Sequence, residues 1–410
     1  MNPEKGRRAA AVRWYCLALA VAIPICLSLS IGGYRVSPSL GDLMMAVGVV
    51  GILVTLPARN LLLGPFLPYV ALTLVATVWG FACGRITAGT VAAETFKIAA
   101  VYGYAVIGAH LLGTEDRLKV FLTTCRWMGA FEALLGVAGS VLLTRFDIHL
   151  PFSSWRAVGT LPTANVLGAY LVFCLVCSTA VYHLRQARTR SFDLAYAGTS
   201  LLMVAGIVAS GTRGSLLALL VAVVFYGLIF RKRGAGLLLL AAGTSAGAVA
   251  LAMAFFPGVA GRIIADPRSS QSVENRLKLW RFGWETFRDA PVVDKLVGLG
   301  RGSFIALTKG QSGLTPANTH NTPLLLLTET GILGLGTFLV LVGWVSAGLI
   351  RVWGRLEPSL RVALGLYWFG GLALAVQGLT NDVTEFRPLW LLLGLAYGIV
   401  KTRDAGTGSP

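Results

Sequence analysis

The sequence predicts an all-α membrane protein that crosses the bilayer about twelve times. Of its 410 residues, 55% are hydrophobic and only 13% are charged, and the mean hydropathy is +0.72. A soluble domain contains about 25% charged residues, whereas a membrane-spanning helix needs about 20 consecutive apolar residues. The apolar segments that meet or approach this length are 12–31, 40–57, 61–82, 91–113, 118–144, 163–184, 194–211, 214–230, 236–257, 322–350, 360–380 and 386–400.

These spans divide the chain into four regions. Residues 1–257 contain the first nine spans, and 258–321 form a long polar loop. Residues 322–401 contain the last three spans, and the polar tail 402–410 is expected to be disordered. An even number of spans places both termini on the same side of the membrane.

The basic residues predict which side that is. The formal net charge is +17. If the N-terminus is cytoplasmic, clusters such as Arg231–Arg233 and Lys401–Arg403 also face the cytoplasm, which is the usual positive-inside pattern. The basic loop 258–321 then lies outside, since long loops translocate largely regardless of charge. The charge therefore reflects topology, and we predict membrane lipids and no nucleic acid as partners.

Within the long loop, 271–288 has the spacing of an amphipathic helix. Its tryptophans predict an interfacial helix on the outer leaflet, and Asp289-Ala290-Pro291 is expected to end it. The glycines that follow, at 298, 300 and 302, predict a flexible turn region. The residues of the predicted apolar stripe are Val273, Leu277, Trp280, Trp284 and Phe287.

Two arginines occupy positions that indicate anion binding. At 100° per residue, Arg276 falls in the apolar sector of the interfacial helix, where it either snorkels or faces a buried anion. Arg213 lies in the very short link between the seventh and eighth spans, near the start of a helix. Helix N-termini attract anions, and arginine matches phosphate oxygens bidentately. The alternative for Arg213 is snorkelling to lipid headgroups.

His320 directly precedes the tenth span and is followed by Asn321. Histidine has an unperturbed pKa near neutrality, which makes it a candidate general base at this position. A purely structural role is the alternative. Asn321, Arg156 and Arg301 are further residues that we expect to line a site. Glu94 and Lys97, three residues apart in the fourth span, predict an internal ion pair.

Several enzyme classes lack their signatures. The chain has no Walker A loop, no HExxH and no GxSxG between a strand and a helix. Nearly all six cysteines fall inside spans, so the Cys174–Cys177 CxxC spacing indicates buried small side chains rather than a zinc or redox site. We therefore predict no metal, no cofactor and no ATP hydrolysis.

Three stretches together resemble the O-antigen ligase and polymerase superfamily of bacterial envelope glycan transferases. They are Ser-Gly-Thr-Arg-Gly-Ser-Leu-Leu-Ala-Leu at 210–219, Glu-Asn-Arg-Leu-Lys-Leu-Trp at 274–280, and His-Asn-Thr-Pro-Leu-Leu-Leu-Leu-Thr-Glu-Thr-Gly-Ile-Leu-Gly-Leu at 320–335. The resemblance covers about the central third of the chain. One departure is Thr322-Pro323 after His-Asn, where an aromatic residue is common in the family. Proline is compatible with a helix start.

The resemblance implies a fold of the GT-C type and a metal-independent, inverting glycosyltransferase. Such an enzyme moves a glycan from undecaprenyl pyrophosphate to an acceptor at the periplasmic face of the bacterial inner membrane. The acceptor is lipid A–core in ligases, the function we favour, and another lipid-linked repeat unit in polymerases. The resemblance also implies that Arg213 and Arg276 bind the donor pyrophosphate and that His320 is the catalytic base.

Two functions outside this class remain as alternatives. A transporter or flippase would use the arginines to bind an anionic lipid or other anionic substrate, and it predicts charged groups at the midplane of several spans. A structural membrane scaffold would leave the position of Arg213 without an explanation.

Overall fold

The structure, a computed structural model, describes residues 3–26, 29–31, 34–36, 38–56, 62–111, 114–150, 154–184, 190–229, 267–309, 311, 314 and 317–405. These residues form mainly helices, joined by a short antiparallel hairpin and two 3₁₀ turns, Gly64–Phe66 and Trp353–Arg355. The helices are α1 (Pro3–Ala22), α2 (Leu40–Thr55), α3 (Leu67–Ala82), α4 (Ala88–Leu111), α5 (Glu115–Phe146), α6 (Ala164–Leu184), α7 (Arg190–Ala209), α8 (Arg213–Ile229), α9 (Pro267–Asp289), α10 (Val292–Val297), α11 (Ser303–Lys309), α12 (Thr322–Val352), α13 (Pro358–Gln377) and α14 (Arg387–Ala405).

Five helices in the described part of the chain are long and apolar enough to cross a membrane. They are Gly64–Ala82, Ala88–His110, Glu115–Phe146, Ala164–Leu184 and Thr322–Arg355, and four shorter apolar helices accompany them. This confirms a helical, multi-pass membrane protein. The total of twelve spans stays a prediction, and the ninth predicted span, 236–257, lies outside the described residues.

The first predicted span, 12–31, is wrong at both ends. Helix α1 begins at Pro3 and ends at Ala22, and Leu29–Ile31 pairs with Tyr34–Val36 as a hairpin. The helix cannot continue through Pro24, because proline lacks the N–H that the next helical hydrogen bond requires. The hydrophobic run therefore extends beyond the helix.

The C-terminal end also differs from the prediction. Residues 402–405, expected to be disordered, continue α14 to Ala405. The Thr402 hydroxyl donates to the carbonyl oxygens of Gly398 and Ile399, 3.0 Å away in each case. Such bonds let a polar side chain stay within a helix. Residues 406–410 lie outside the described part.

The core is formed by close helix packing. Helix α14 packs along α4, and α6 lies between α5 and α13. A Cβ atom at Gly394 or Gly398 would overlap the backbone of Ala105 or Ala109. Small residues at these positions therefore let α14 and α4 approach closely, as is usual for helix pairs in membranes.

Helix α12 is broken at Gly331, which has a φ of 68°. The carbonyl oxygens of Thr328 and Glu329 accept hydrogen bonds from the N–H groups of Leu299 (2.9 Å) and Gly300 (3.0 Å). The segment before Arg301 thus fills the break in α12. We expected a flexible turn region here, and this was wrong: the positive φ angles of Gly298, Gly300 and Gly302 fit a segment that is hydrogen-bonded and buried.

Loops that the topology predicts on the outer side contact one another. Five such contacts join loops or helix ends that are distant in sequence. Every partner belongs to that predicted side except Pro24, which lies just after the end of α1. The contacts are Arg85 to Asp294, Arg387 to Asp42, Asn321 to Leu379, Arg156 to Ser210, and Thr160 to Pro24. One end of the helix bundle therefore carries a continuous, hydrogen-bonded cap.

Candidate active site

Helix α9 confirms the helix predicted over 271–288, and it presents an inward face. Leu279 packs with Phe304 and Leu325 in a small buried cluster. Three residues of the predicted apolar stripe, Val273, Leu277 and Trp284, are exposed instead. The stripe is therefore available to lipid, and its position on the outer leaflet stays a prediction.

Arg276 lies on the inward side of α9. It is half-buried, whereas the Arg281 side chain is 82% exposed and paired with Glu285. Arg288 is likewise exposed and pairs with Asp289. Burial and the positive charge of Arg213 both lower the pKa of Arg276. The 100°-per-residue argument thus separated the buried arginine of this helix from its exposed neighbours.

Arg213 is the first residue of α8. The turn before it is held by Arg156, whose Nε donates to the carbonyl oxygen of Ser210 (2.6 Å). Arg156 Nη2 donates to Thr212 Oγ1 (2.9 Å) and to Asn165 Oδ1 (3.0 Å). These contacts make Arg156 a positioning residue for the turn that carries Arg213, and its place in the lining of a site stays a prediction.

His320 has a left-handed backbone conformation, with a φ of 51°. A non-glycine residue there stores strain, which persists where neighbouring contacts fix it. Thr319 Oγ1 accepts from the N–H of Asn321 (3.2 Å) and donates to its carbonyl oxygen (2.9 Å). Trp280 Nε1 of α9 donates to the carbonyl oxygen of Thr319 (2.8 Å). The residues on both sides of His320 are therefore anchored.

Asn321 is the N-cap of α12. Its Oδ1 accepts from the N–H of Leu324 (2.9 Å), and its Nδ2 donates to the carbonyl oxygen of Leu379 (3.3 Å). Pro323 lies in the first helical turn, where its missing N–H costs nothing. Asn321 therefore fixes the helix start beside His320, and the departure from the family pattern at Thr322-Pro323 leaves the helix start intact.

His320, Arg276 and Arg213 form one cluster of electrostatically interacting side chains: Arg213 acts on Arg276, and Arg276 acts on His320. Burial and the charge of Arg276 lower the pKa of His320 from 6.5 to about 4. His320 is consequently neutral at pH 7, with a free ring nitrogen that can accept a proton. Because two cations repel each other here, a bound anion would be stabilised strongly.

A cavity of about 360 Å³ adjoins His320 on the side where α4, α6 and the α13–α14 loop meet. Sequence reasoning assigned roles to His320 and Lys97, which both line this cavity. The other polar residues of the lining are Thr163, Asn165, Asn318, Gln377, Asn381, Asp382, Glu385 and Arg387. The sequence signal that could have identified this lining was the pair of polar residues Gln377 and Asn381 at the end of an apolar span.

Arg301, expected to line the site, lies in a buried ionic cluster behind this cavity. Its guanidinium is 3.4 Å from Glu94 Oε2, 3.3 Å from Glu329 Oε2 and 3.6 Å from Glu385 Oε1. Lys97 Nζ lies 2.8 Å from Glu94 Oε1, which confirms the predicted ion pair, and 2.9 Å from Glu385 Oε1. The cluster joins α4, α12 and two loops.

The Cys174–Cys177 pair has the buried environment that the sequence indicated, whereas Cys83 is exposed. All six cysteines are unpaired, and Cys174 and Cys177 are fully buried. Among the described residues, no group of three or more His, Cys, Asp or Glu side chains is arranged to hold a metal ion.

Residues 198–339 match the family model described as O-antigen ligase. This part of the chain is therefore similar to the O-antigen ligase family. The matched O-antigen ligase region contains Arg213, Arg276 and His320, and the resemblance noted from the three sequence stretches is confirmed. A comparison with curated proteins found no match to the chain.

Proposed function

We propose that this protein is an O-antigen ligase-type glycosyltransferase. It transfers a glycan from undecaprenyl pyrophosphate to lipid A–core. The observation that supports this most directly is the coupling of Arg213, Arg276 and a neutral His320. Such a cluster offers two cations for a leaving pyrophosphate and one base for an acceptor hydroxyl.

The arginines bind the donor in this proposal. Arginine forms bidentate, charge-assisted hydrogen bonds with phosphate oxygens. Arg213 begins α8, where the helix dipole adds to the attraction for an anion. As the glycosidic bond breaks, negative charge grows on the pyrophosphate, and preorganised cations stabilise that charge most in the transition state.

His320 acts on the acceptor. A sugar hydroxyl oxygen of lipid A–core attacks the anomeric carbon of the donor glycan, and its proton passes to His320. The bond from the anomeric carbon to the phosphate oxygen breaks, and undecaprenyl pyrophosphate leaves with the bonding electrons. This single displacement inverts the anomeric centre. The bound pyrophosphate also opposes the charge of Arg276, so the pKa of His320 rises toward the range in which a general base works best.

The proposed location is the inner membrane, with the fold of the GT-C type, cytoplasmic termini and the active site facing the periplasm. The positive-inside pattern supports this orientation, and the contacts among the loops predicted on the outer side support placing those loops on one side of the membrane. A reporter fused near Arg190 should show a cytoplasmic location, and one fused near Phe304 a periplasmic one. The reverse result would place His320 on the wrong side for this donor and acceptor.

Transfer with purified components tests the chemistry. The assay contains the protein, a lipid-linked donor, lipid A–core and EDTA. His320→Ala should slow transfer about 10²- to 10⁴-fold, the usual value of general base catalysis, while donor binding persists. Arg213→Ala should weaken donor binding, and Arg281→Ala is the matched control for a basic residue outside the cluster.

Two results would contradict the mechanism. Full activity of His320→Ala across neutral pH would remove the base. Loss of activity in EDTA, with rescue by a divalent ion, would remove the metal-independent route.

A polymerase of O-antigen or exopolysaccharide is the alternative within the superfamily. The banding of lipopolysaccharide in a deletion strain distinguishes it. Loss of all capped core indicates a ligase, whereas core that carries one repeat unit indicates a polymerase.

A further inference from the structure

The cavity beside His320 contains two buried amide groups that are only half satisfied. Gln377 is 1% exposed and Asn381 is 8% exposed. Gln377 Nε2 donates to Ser215 Oγ (3.0 Å), and Asn381 Oδ1 accepts from Asn165 Nδ2 (3.3 Å). Gln377 Oε1 and Asn381 Nδ2 have no hydrogen-bond partner among the described residues. Because buried polar atoms are nearly always paired, these two indicate a ligand with both donors and acceptors.

The rest of the lining suits a sugar. Phe96 and Phe386 contribute aromatic rings to the cavity, and Asn165 and Asp382 add further polar atoms. Small-molecule sites commonly combine apolar walls with a few fixed polar groups. A sugar ring presents apolar C–H groups and several hydroxyls, each of which both donates and accepts.

The charges around the cavity disfavour an anion. The two cations that line it have carboxylate partners: Lys97 pairs with Glu94 and Glu385, and Arg387 Nη2 lies 2.7 Å from Asp42 Oδ2. The lining itself holds two carboxylates, Asp382 and Glu385, beside these two cations. Arg213 and Arg276, which do not line the cavity, have the opposite character, since they are coupled as like charges.

We propose that this cavity is the subsite for the acceptor sugar. This inference deepens the proposed function and rests on it. The pyrophosphate occupies the Arg213–Arg276 side, and the neutral acceptor ring lies in the cavity. Gln377 Oε1 and Asn381 Nδ2 hold hydroxyls adjacent to the reacting one. His320 lines the cavity and feels the charge of Arg276, so it lies where the two substrates meet.

Two substitutions remove these contacts with little change in shape. Asn381→Asp keeps the oxygen that accepts from Asn165 and removes the unpaired amide donor. Gln377→Met removes the unpaired acceptor. Each should raise the KM for lipid A–core about tenfold, the effect of losing one hydrogen bond to a buried group, with donor binding and the KM for the donor unchanged. Gln311→Met, in an exposed position, is the matched control for Gln377→Met.

Retained donor binding also shows that each variant is folded. An unchanged acceptor KM in both variants would overturn the inference while leaving the transferase function intact. A rise in the donor KM instead would show that the cavity holds the donor glycan, which also overturns it.

A binding measurement without turnover keeps the two proposals separate. Saturation-transfer NMR with deacylated lipopolysaccharide core oligosaccharide should give a signal with the wild type that falls at least severalfold with Asn381→Asp. Equal signals for both proteins, or no signal with the wild type, would overturn the acceptor subsite. Absence of transfer by the wild type with a clear, Asn381-dependent NMR signal would instead overturn the ligase function alone.

Discussion

Trp280 Nε1 donates a hydrogen bond to the carbonyl oxygen of Thr319, 2.8 Å away. Trp280 follows Arg276 by one helical turn, and Thr319 directly precedes His320. A single side chain therefore links the helix that carries a proposed donor-binding arginine to the strained residue proposed as the base. The relative position of Arg276 and His320 depends on this contact.

Removing this hydrogen bond should impair catalysis more than folding. Trp280→Phe keeps an aromatic ring in place but leaves the Thr319 carbonyl without its partner. We expect transfer to fall about tenfold, because one lost hydrogen bond costs about 1 kcal/mol and a small misplacement of reacting groups slows the reaction. Single-turnover transfer with bound donor measures this rate.

Trp284→Phe is the matched control, since Trp284 belongs to the same helix and is exposed. It should transfer at the wild-type rate. Equal losses in both variants would show that the aromatic residues of α9 act through membrane contact rather than through Thr319.

The inward position of Arg276 distinguishes it from the other arginines of α9. Arg276→Ala should lose most transfer activity and donor affinity, because it is half-buried and coupled to Arg213 and His320. Arg281→Ala and Arg288→Ala should lose little, since both side chains are exposed in local ion pairs. Similar losses at all three positions, at unchanged expression, would indicate a general basic surface.

Arg301 should matter for stability rather than for donor binding. Its side chain is 5% exposed and lies among Glu94, Glu329 and Glu385. Arg301→Ala removes the cation beside Glu329 and leaves Glu94 and Glu385 with Lys97 alone. Breaking a buried ion pair costs about 3–5 kcal/mol. We expect a clear drop in the melting temperature of the purified protein in detergent. A stable Arg301→Ala variant that fails to bind donor would contradict this prediction and show that Arg301 takes part in donor binding.

Local periodicity was enough to predict some features of this site. The 100° spacing along α9 separated Arg276 from Arg281, and the three-residue spacing paired Glu94 with Lys97. Both arguments concern neighbours on a single helix, whose geometry is fixed by backbone hydrogen bonds. The short link before α8 likewise placed Arg213 at a helix start.

Features that depend on tertiary contacts were not accessible in this way. The partners of Arg301 come from α4, α12 and the α13–α14 loop, and no spacing relates them. The glycines at 298 and 300 suggested flexibility. In the structure they pack into the break in α12, and no pattern in the sequence of α12 predicts that break. The hydropathy pattern also predicted a first helix that extends too far toward the C-terminus, because the apolar residues after Pro24 are not helical.

The pH dependence follows from the environment of His320. Burial and Arg276 lower its pKa to about 4, so the neutral base persists well below pH 6.5. The kcat/KM for the donor reports the free enzyme, and we expect no fall attributable to His320 between pH 7 and 5, with the loss centred near pH 4. In kcat, which reports the bound complex, the loss should occur at higher pH, because the pyrophosphate opposes the charge of Arg276. NMR titration of the histidine ring provides a direct measurement: Arg276→Gln removes one of the two causes and should move the His320 pKa upward, whereas Arg281→Gln should leave it in place. A His320 titration near pH 6.5 in the wild type, unchanged by Arg276→Gln, would disprove the coupling on which the proposed base depends.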